Sequence, residues 1–339
     1  MSDVIRLRIV EIRPETHDVK TYVFKPVDKA LHYLAGQSLT LRLPIGDAGL
    51  HRTFSMASAP GSETISMTIK AHPHGRATGW MHETLKAGDV LEASGPNGRF
   101  TLDLASEGEL AFVSAGSGAS PLMAMLREIA VRQPERDVAW LHWARTPDDL
   151  LFVDELANIQ RDYRNLRVAM CVTQATPGWF GFLGRPRRAT LSAAVADFGR
   201  RAVFCCGPDG FMEAVRAIHG AEGGNHRQFH IEYFGTGRGD VTATQQKQST
   251  LTADHSFLVR LGNKLFTARS DETLLAAATR ENVVIPCGCA AGICGTCRVH
   301  LVTGSVDMQH NGGLPPEDEA SGIILACSSR PVTDLEIRI

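Results

Sequence analysis

The chain has 339 residues, with 35 Lys and Arg against 37 Asp and Glu and a hydrophobic content of 43%. That length suits two or three domains, and a formal charge of −2 supplies no basic stripe for a nucleic-acid backbone. No apolar run reaches the roughly 18 residues of a membrane helix, and the opening MSDVIRLRIVEIRPE lacks a signal core, so a cytoplasmic protein without membrane or nucleic-acid partners is expected.

Residues 1–105 carry short alternating runs, at 4–10 and 66–70, broken by Gly and Pro at Gly36, Pro44, Pro60-Gly61 and Gly95-Pro96. This spacing predicts an antiparallel β-barrel. Within it, His51-Arg52-Thr53-Phe54-Ser55 is preceded by Gly36-Gln37. It is followed by Gly75-Arg76-Ala77-Thr78, Gly88-Asp89 and Gly95-Pro96-Asn97-Gly98-Arg99-Phe100. A guanidinium holds phosphate through charge-assisted hydrogen bonds, and a helix start with a nearby hydroxyl offers further donors to an anion.

Taken in order, these motifs resemble the R-x-[YF]-[ST], G-x-x-[ST] and G-P-x-G-x-F steps of ferredoxin–NADP reductase-like flavin domains. The resemblance implies that Arg52 holds a flavin phosphate, that Thr53 and Phe54 line the flavin, and that Ser55 hydrogen-bonds near flavin N5. It places Gly75, Arg76, Ala77 and Thr78 on the phosphates. The short 75–78 turn resembles the FAD-binding branch rather than the longer Gly-rich loop of FMN-containing phthalate dioxygenase reductase. FAD is therefore expected, with FMN as the alternative.

From 106 to 235 the rhythm changes to strand followed by helix: Leu110-Ala111-Phe112-Val113 precedes 122–129, Val138-Ala139-Trp140-Leu141 precedes 150–159, and Ala202-Val203-Phe204-Cys205 precedes 211–218. This predicts an α/β domain on a parallel sheet. Gly116-Ser117-Gly118-Ala119-Ser120-Pro121 is a glycine turn at a helix start, where backbone amides approach a pyrophosphate. Cys206-Gly207-Pro208-Asp209-Gly210-Phe211-Met212 resembles the same family's C-G-P-x-x-[FM]-M element. That likeness implies a nicotinamide site of Gly116, Ser117, Gly118, Ser120, Cys206, Gly207, Pro208, Phe211 and Met212, with Cys206 beside the nicotinamide ring. Arg145-Thr146-Pro147-Asp148-Asp149 resembles the turn at the adenosine end, and Glu232-Tyr233-Phe234 the closing E-x-F element, with Glu232 and Phe234 at the flavin. Asp148 and Asp149 disfavour a 2′-phosphate that Arg145 could bind, so NADH is expected and NADPH is the alternative. Trp140, His142 and Trp143 are assigned to packing.

Residues 236–250 are polar and without periodicity, a linker. Residues 251–339 then hold Cys287, Cys289, Cys294, Cys297 and Cys327. The last four spell C-x4-C-x2-C with a distant fourth thiolate, the plant-type [2Fe–2S] spacing. Only Cys289 gives the four-residue gap, which leaves Cys287 as a neighbouring thiol. Four thiolates also suit zinc, but zinc sites usually pair two short knuckles. Ile285-Pro286, Arg298-Val299 and Ile324-Leu325-Ala326-Cys327 resemble the α+β (β-grasp) ferredoxin domain of oxygenase reductases.

The whole chain thus resembles the reductase component of a multicomponent oxygenase. The likeness implies NADH reducing FAD, a [2Fe–2S] relay, and a terminal oxygenase of the Rieske non-haem iron type as acceptor. The run 307–314 resembles reductases of glycine-betaine-type and N-demethylating oxygenases. The domain order also resembles reductases of a hybrid-cluster protein and of a di-iron epoxidase. A zinc-stabilised binding module without redox activity is the alternative of another class.

Overall fold

The computed structural model describes residues 4–46, 49–72, 75–102, 108–234, 255–287, 290, 292, 295–310, 313, 314 and 316–339. The chain divides into two compact units, Met1–Leu43 with Phe54–Phe234 and Pro44–Thr53 with Gly235–Ile339.

The first sheet comprises β1 (Ile5–Pro14), β2 (Val19–Pro26), β3 (Ser38–Leu43), β4 (Leu50–Ser55), β5 (Ile65–Lys70) and, after helix α1 (Arg76–Thr84), β6 (Val90–Asn97). Alternation sets its register: in β1, Ile5, Leu7 and Ile9 are buried while Arg6 and Arg8 face out. The strand order is β4-β3-β6-β1-β2-β5, with β1–β2, β1–β6, β2–β5 and β3–β6 antiparallel. The segment after β4 curls the sheet into a near-barrel. Met56 N–H bonds the Gln37 carbonyl at 3.0 Å and Ala57 N–H bonds that of Ser66 at 2.7 Å.

The second sheet is built from β7 (Leu110–Ala115), α2 (Ala119–Arg132), β8 (Val138–Ala144), α3 (Val153–Asp162), β9 (Leu166–Val172), β10 (Phe182–Leu183), α4 (Arg188–Ala194), β11 (Ala202–Cys206), α5 (Asp209–Ala221) and β12 (Phe229–Glu232). Its order is β10-β9-β8-β7-β11-β12, and every neighbouring pair is parallel. Helices cover both faces, which is why β8, VAWLHWA, is buried throughout. Phe112, Trp140 and Phe204 pack under α2 and α3 with Leu122, Met125 and Leu156. On the other face, Val113, Leu141 and Cys205 meet Leu191 of α4 and Met212 and Val215 of α5. Phe100, just beyond β6, lies edge-on to Phe204 with ring centroids 5.4 Å apart, so the first two sheets share a core.

The remaining elements are β13 (Ser256–Leu261), β14 (Lys264–Arg269), α6 (Leu274–Arg280), β15 (Arg298–Thr303), β16 (Val306–Met308), α7 (Pro316–Ala320), β17 (Ile323–Leu325), β18 (Ser329–Pro331) and β19 (Leu335–Arg338). They form a mixed sheet, β14-β13-β19-β15-β17, and a small β16–β18 ladder. Helix α6 starts at Thr273, whose hydroxyl caps the Ala276 N–H, and buries Leu274, Ala277 and Ala278 against Val259, Phe266 and Ile337. Among the described residues no helix is long and apolar enough to cross a membrane.

Candidate functional site

The parallel sheet runs outward from β7 through β8 and β9, then returns to β11 on the other side. Such a reversal opens a crevice at the carboxyl ends of β7 and β11. The crevice is where the Gly116–Gly118 turn leads into α2, whose amino end has no side-chain cap, the Ala119 N–H being taken by the Gly116 and Ser117 carbonyls of the turn itself. Gly118 is required there because a Cβ would collide with the Cys206 carbonyl. Ser117 is half-buried beside it.

Strand register lines up four polar or soft side chains across this edge: Glu232 beside Cys206, Cys206 beside Ser114, and Ser114 beside His142. Residues in register share a face of the sheet. Glu232 closes the row against the first sheet by accepting the Ser55 hydroxyl at 2.8 Å. Ser120 of α2 donates to the Ser55 carbonyl at 3.2 Å. The flavin-motif serine is thus held from both sides by the α/β domain. Cys206 is fully buried, and burial, reinforced by the Glu232 charge, pushes its thiol up, so it stays protonated. Phe234 and Gly207 are half-buried, Pro208 is exposed, Phe211 stands edge-on to Trp143 at 5.5 Å, and Met212 is buried in the core under α5.

At the other end of the row, His142 Nδ1 lies 2.8 Å from Ser114 Oγ, and the Leu151 N–H points at its Nε2 from 3.3 Å. An amide only donates, so Nε2 accepts and Nδ1 carries the proton. Burial depresses this imidazole to about 4 and keeps it neutral. His142 therefore ties the strand before the glycine turn to the 145–151 loop, a role beyond the packing its sequence pattern suggests. In that loop Arg145 and Asp148 are exposed. The Asp149 carboxylate is engaged by Thr146 N–H and Oγ at 3.0 and 2.8 Å and by His17 Nδ1 at 3.3 Å.

On β4, Arg52, Thr53 and Phe54 are half-buried, and Arg52 Nη1 donates to the His51 carbonyl at 2.8 Å. Gly75 precedes α1, whose amino end also lacks a side-chain cap. Arg76 is exposed there, Ala77 is buried, and Thr78 Oγ accepts the His72 N–H at 3.2 Å. A cavity of ≈ 670 Å³ opens beside this turn, lined by Gly75, Arg76, Trp80, His82 and Asp18 among others. Uncapped helix starts beside open space fit phosphate groups.

In the last domain, Cys297 and Cys327 are buried side by side. Cys327 N–H points at Cys297 Sγ from 3.4 Å, and Gly292 N–H points at Cys327 Sγ from 3.2 Å. A thiol–thiol hydrogen bond, and then burial, pushes the Cys297 thiol up. Gly292 turns with φ +68 in a place where a Cβ would press on His310 and Ser328. Two convergent sulfurs with amides aimed at them suit a thiolate-held cluster. Cys289 and Cys294 lie outside the described residues. Cys287 is half-buried, and Cys287, Cys297 and Cys327 are in no disulfide.

Nothing in the sequence pattern singles out Arg127, although the structure ties it to three elements around this site. The available signal was a cation inside the apolar run Leu122, Met123, Met125, Leu126 and Ile129.

Comparison with known proteins agrees with this architecture. Residues 6–102 match the oxidoreductase FAD-binding domain, 112–217 the oxidoreductase NAD-binding domain, and 260–332 the 2Fe-2S iron-sulfur cluster binding domain. The glycine betaine monooxygenase reductase subunit of Chromohalobacter salexigens is 34% identical over 98% of this chain and 94% of its own. The stachydrine N-demethylase reductase subunit of Rhizobium meliloti is 33% identical over 99% of this chain and 97% of its own. Phthalate dioxygenase reductase shares the fold at a TM-score of 0.62 and 23% identity, covering 99% of this chain and 98% of its own. The chain belongs to the ferredoxin reductase-like family of oxygenase reductases with a 2Fe-2S domain. It is an NAD(P)H-dependent oxidoreductase with FAD-, NAD- and [2Fe–2S]-binding domains.

Proposed function

We propose that the chain is the NADH-dependent reductase of a Rieske non-haem iron oxygenase that removes N-methyl groups. When bound, the flavin and the cluster supply the conversion of a two-electron donor into single electrons. The observation that carries the reductase reading is the 2.8 Å bond from Ser55 to Glu232, which locks the flavin motif to the end of the nicotinamide sheet. The choice of acceptor rests on two relatives, the glycine betaine monooxygenase and stachydrine N-demethylase reductase subunits, which are 34% and 33% identical over nearly the whole chain. The resembling run 307–314 supports it as well, with Asn311 and Gly312 outside the described residues.

In this reading the α1 amino end with Gly75, Arg76, Ala77 and Thr78 binds FAD phosphates and Phe54 lines the flavin, while Arg52 and Thr53 keep the phosphate-holding and flavin-lining roles that their motif implies. Ser55 donates its proton to Glu232 and so keeps its hydroxyl in one orientation. The uncapped α2 amino end with Gly116, Ser117, Gly118 and Ser120 takes the nicotinamide dinucleotide's pyrophosphate. Cys206, a buried protonated thiol, forms a soft neutral wall for the nicotinamide beside Gly207, Pro208 and Phe211, Met212 packs behind them in the core instead of lining the site as its motif implied, and Phe234 lines the flavin face. Arg145 meets the adenosine end, where the nearby Asp148 carboxylate opposes a 2′-phosphate. Cys289, Cys294, Cys297 and Cys327 hold the cluster as thiolates.

The test has two parts. Purified with a Rieske oxygenase acting on a quaternary N-methyl amine, the chain should support NADH-dependent formaldehyde release. Cys294→Ser should abolish that release and cytochrome c reduction while sparing bleaching of the flavin by NADH. Equal loss of flavin bleaching would contradict the relay order, and turnover with only a non-Rieske acceptor would contradict the assigned partner.

A further inference from the structure

Helix α2 meets the flavin-side segment at two heights. Ser120, in its first turn, donates to the Ser55 carbonyl at 3.2 Å, and Arg127 Nη1 donates to the Ala57 carbonyl at 2.7 Å. Seven residues are two helical turns, about 10.5 Å, so both side chains leave one face of α2. Ser55 and Ala57 are two residues apart, so one extended segment receives both bonds.

The rest of the guanidinium is also engaged. Nε and Nη2 grip the two carboxylate oxygens of Glu155 on α3 at 2.7 Å each. Its Cζ lies over the Phe152 ring, 5.6 Å from the centroid, and Phe152 is the residue that opens α3 at φ 59. A planar fork that grips both carboxylate oxygens and still aims a third nitrogen elsewhere is available to arginine and not to lysine, whose three donors sit on one nitrogen. An ordinary surface ion pair would join α2 to α3 and stop. Here the remaining donor crosses from the α/β domain to the segment that continues β4.

We propose that Arg127 is a positioning residue for hydride transfer, fixing the height of the Ser55-bearing segment above the amino end of α2. Through that contact it sets how a nicotinamide held at Gly116, Ser117, Gly118 and Ser120 faces a flavin held at Ser55. This rests on the assignment of those residues to the two cofactors.

The experiment compares the full-length holoprotein with Arg127→Met, Arg127→Lys and Glu155→Gln by anaerobic stopped-flow mixing with NADH. Flavin content and amide exchange at Met56 and Ala57 are measured alongside. For Arg127→Met the limiting rate of flavin bleaching should fall about 10- to 100-fold, the scale of a misplacement near 1 Å. Flavin content and the NADH concentration for half-saturation should hold, and exchange at Met56 and Ala57 should quicken. Arg127→Lys should recover part of the rate by reaching Ala57 alone, and Glu155→Gln should fall between.

A wild-type limiting rate in Arg127→Met, or a loss that tracks flavin content and is not relieved by lysine, overturns the proposal. If the methionine variant does not fold, the lysine variant decides: a lowered limiting rate at unchanged half-saturation supports the proposal, and a wild-type rate overturns it. Failure of the underlying assignment looks different, because NADH would then not bleach the flavin of the wild-type protein.

Discussion

The two edges of the parallel sheet are made of different chemistry. At the carboxyl edge the fully buried groups, Cys206 and His142, are held uncharged by burial, the one carboxylate of the row, Glu232, is half-buried and tied to Ser55, and no side chain caps the start of α2. At the amino edge the buried groups are charged. Arg201, fully buried just before β11, pairs with Asp197 at 2.9 Å and with Asp137 at 2.7 Å, and Asp137 also binds Arg167 at 2.7 Å. Burial opposes the Arg201 charge, but its two carboxylates prevail and hold it above its ordinary value. Charge at that edge is buried in a closed network, whereas at the other the fully buried groups are neutral and the helix start carries no side-chain cap.

The largest effect should come from breaking the charged edge. Arg201→Met leaves two carboxylates without their buried partner and should cost about 3–5 kcal/mol in urea unfolding. The folded fraction should still be bleached by NADH, and loss of bleaching at full folding would erase the distinction between the edges.

Acid separates the edges next. His142 titrates near 4 in the fold and near 6.5 when unfolded, so the unfolded chain takes up the proton first. Its contribution is complete above pH 6.5 and is lost as pH falls toward 4, about 3 kcal/mol at 1.36 kcal/mol per unit. Burial lowers His219 and His230 in the same direction. Asp197, held at about 2 chiefly by Arg201 against its own burial, gives way only in a lower window, below about pH 4. Its neighbour Glu109 moves up through their shared hydrogen bond and offsets part of that loss. Urea midpoints between pH 7.5 and 4.5 should fall, and His142→Asn should flatten the slope; an unchanged slope would contradict the neutral assignment.

The smallest effect should be Arg167→Ala. Its partner Asp137 keeps Arg201, and the pair is half exposed, so the cost should stay within about 1 kcal/mol. A larger loss would mean that the network acts as one unit.

Much of this was legible in the residue order. Period-two runs mark the first sheet, strand–helix alternation marks the second, and the C-x4-C-x2-C spacing marks the 2Fe-2S domain, because in each the signal sits within one local segment. What the order hides is contact across long separations. Ser55 and Glu232 are 177 residues apart, and Arg201 and Asp137 are 64 apart. The near-barrel closure likewise depends on Met56 and Ala57, which carry no strand signature and bond Gln37 and Ser66. His142 reads as packing because its two partners come from β7 and from the 145–151 loop, and only the register of the folded sheet brings them together.

The most direct measurement is an anaerobic visible spectrum of the purified chain before and after NADH, with the released flavin identified by chromatography. The account predicts FAD, bleached on mixing, together with reduction of a reddish-brown iron–sulfur background. A colourless protein containing zinc would contradict it.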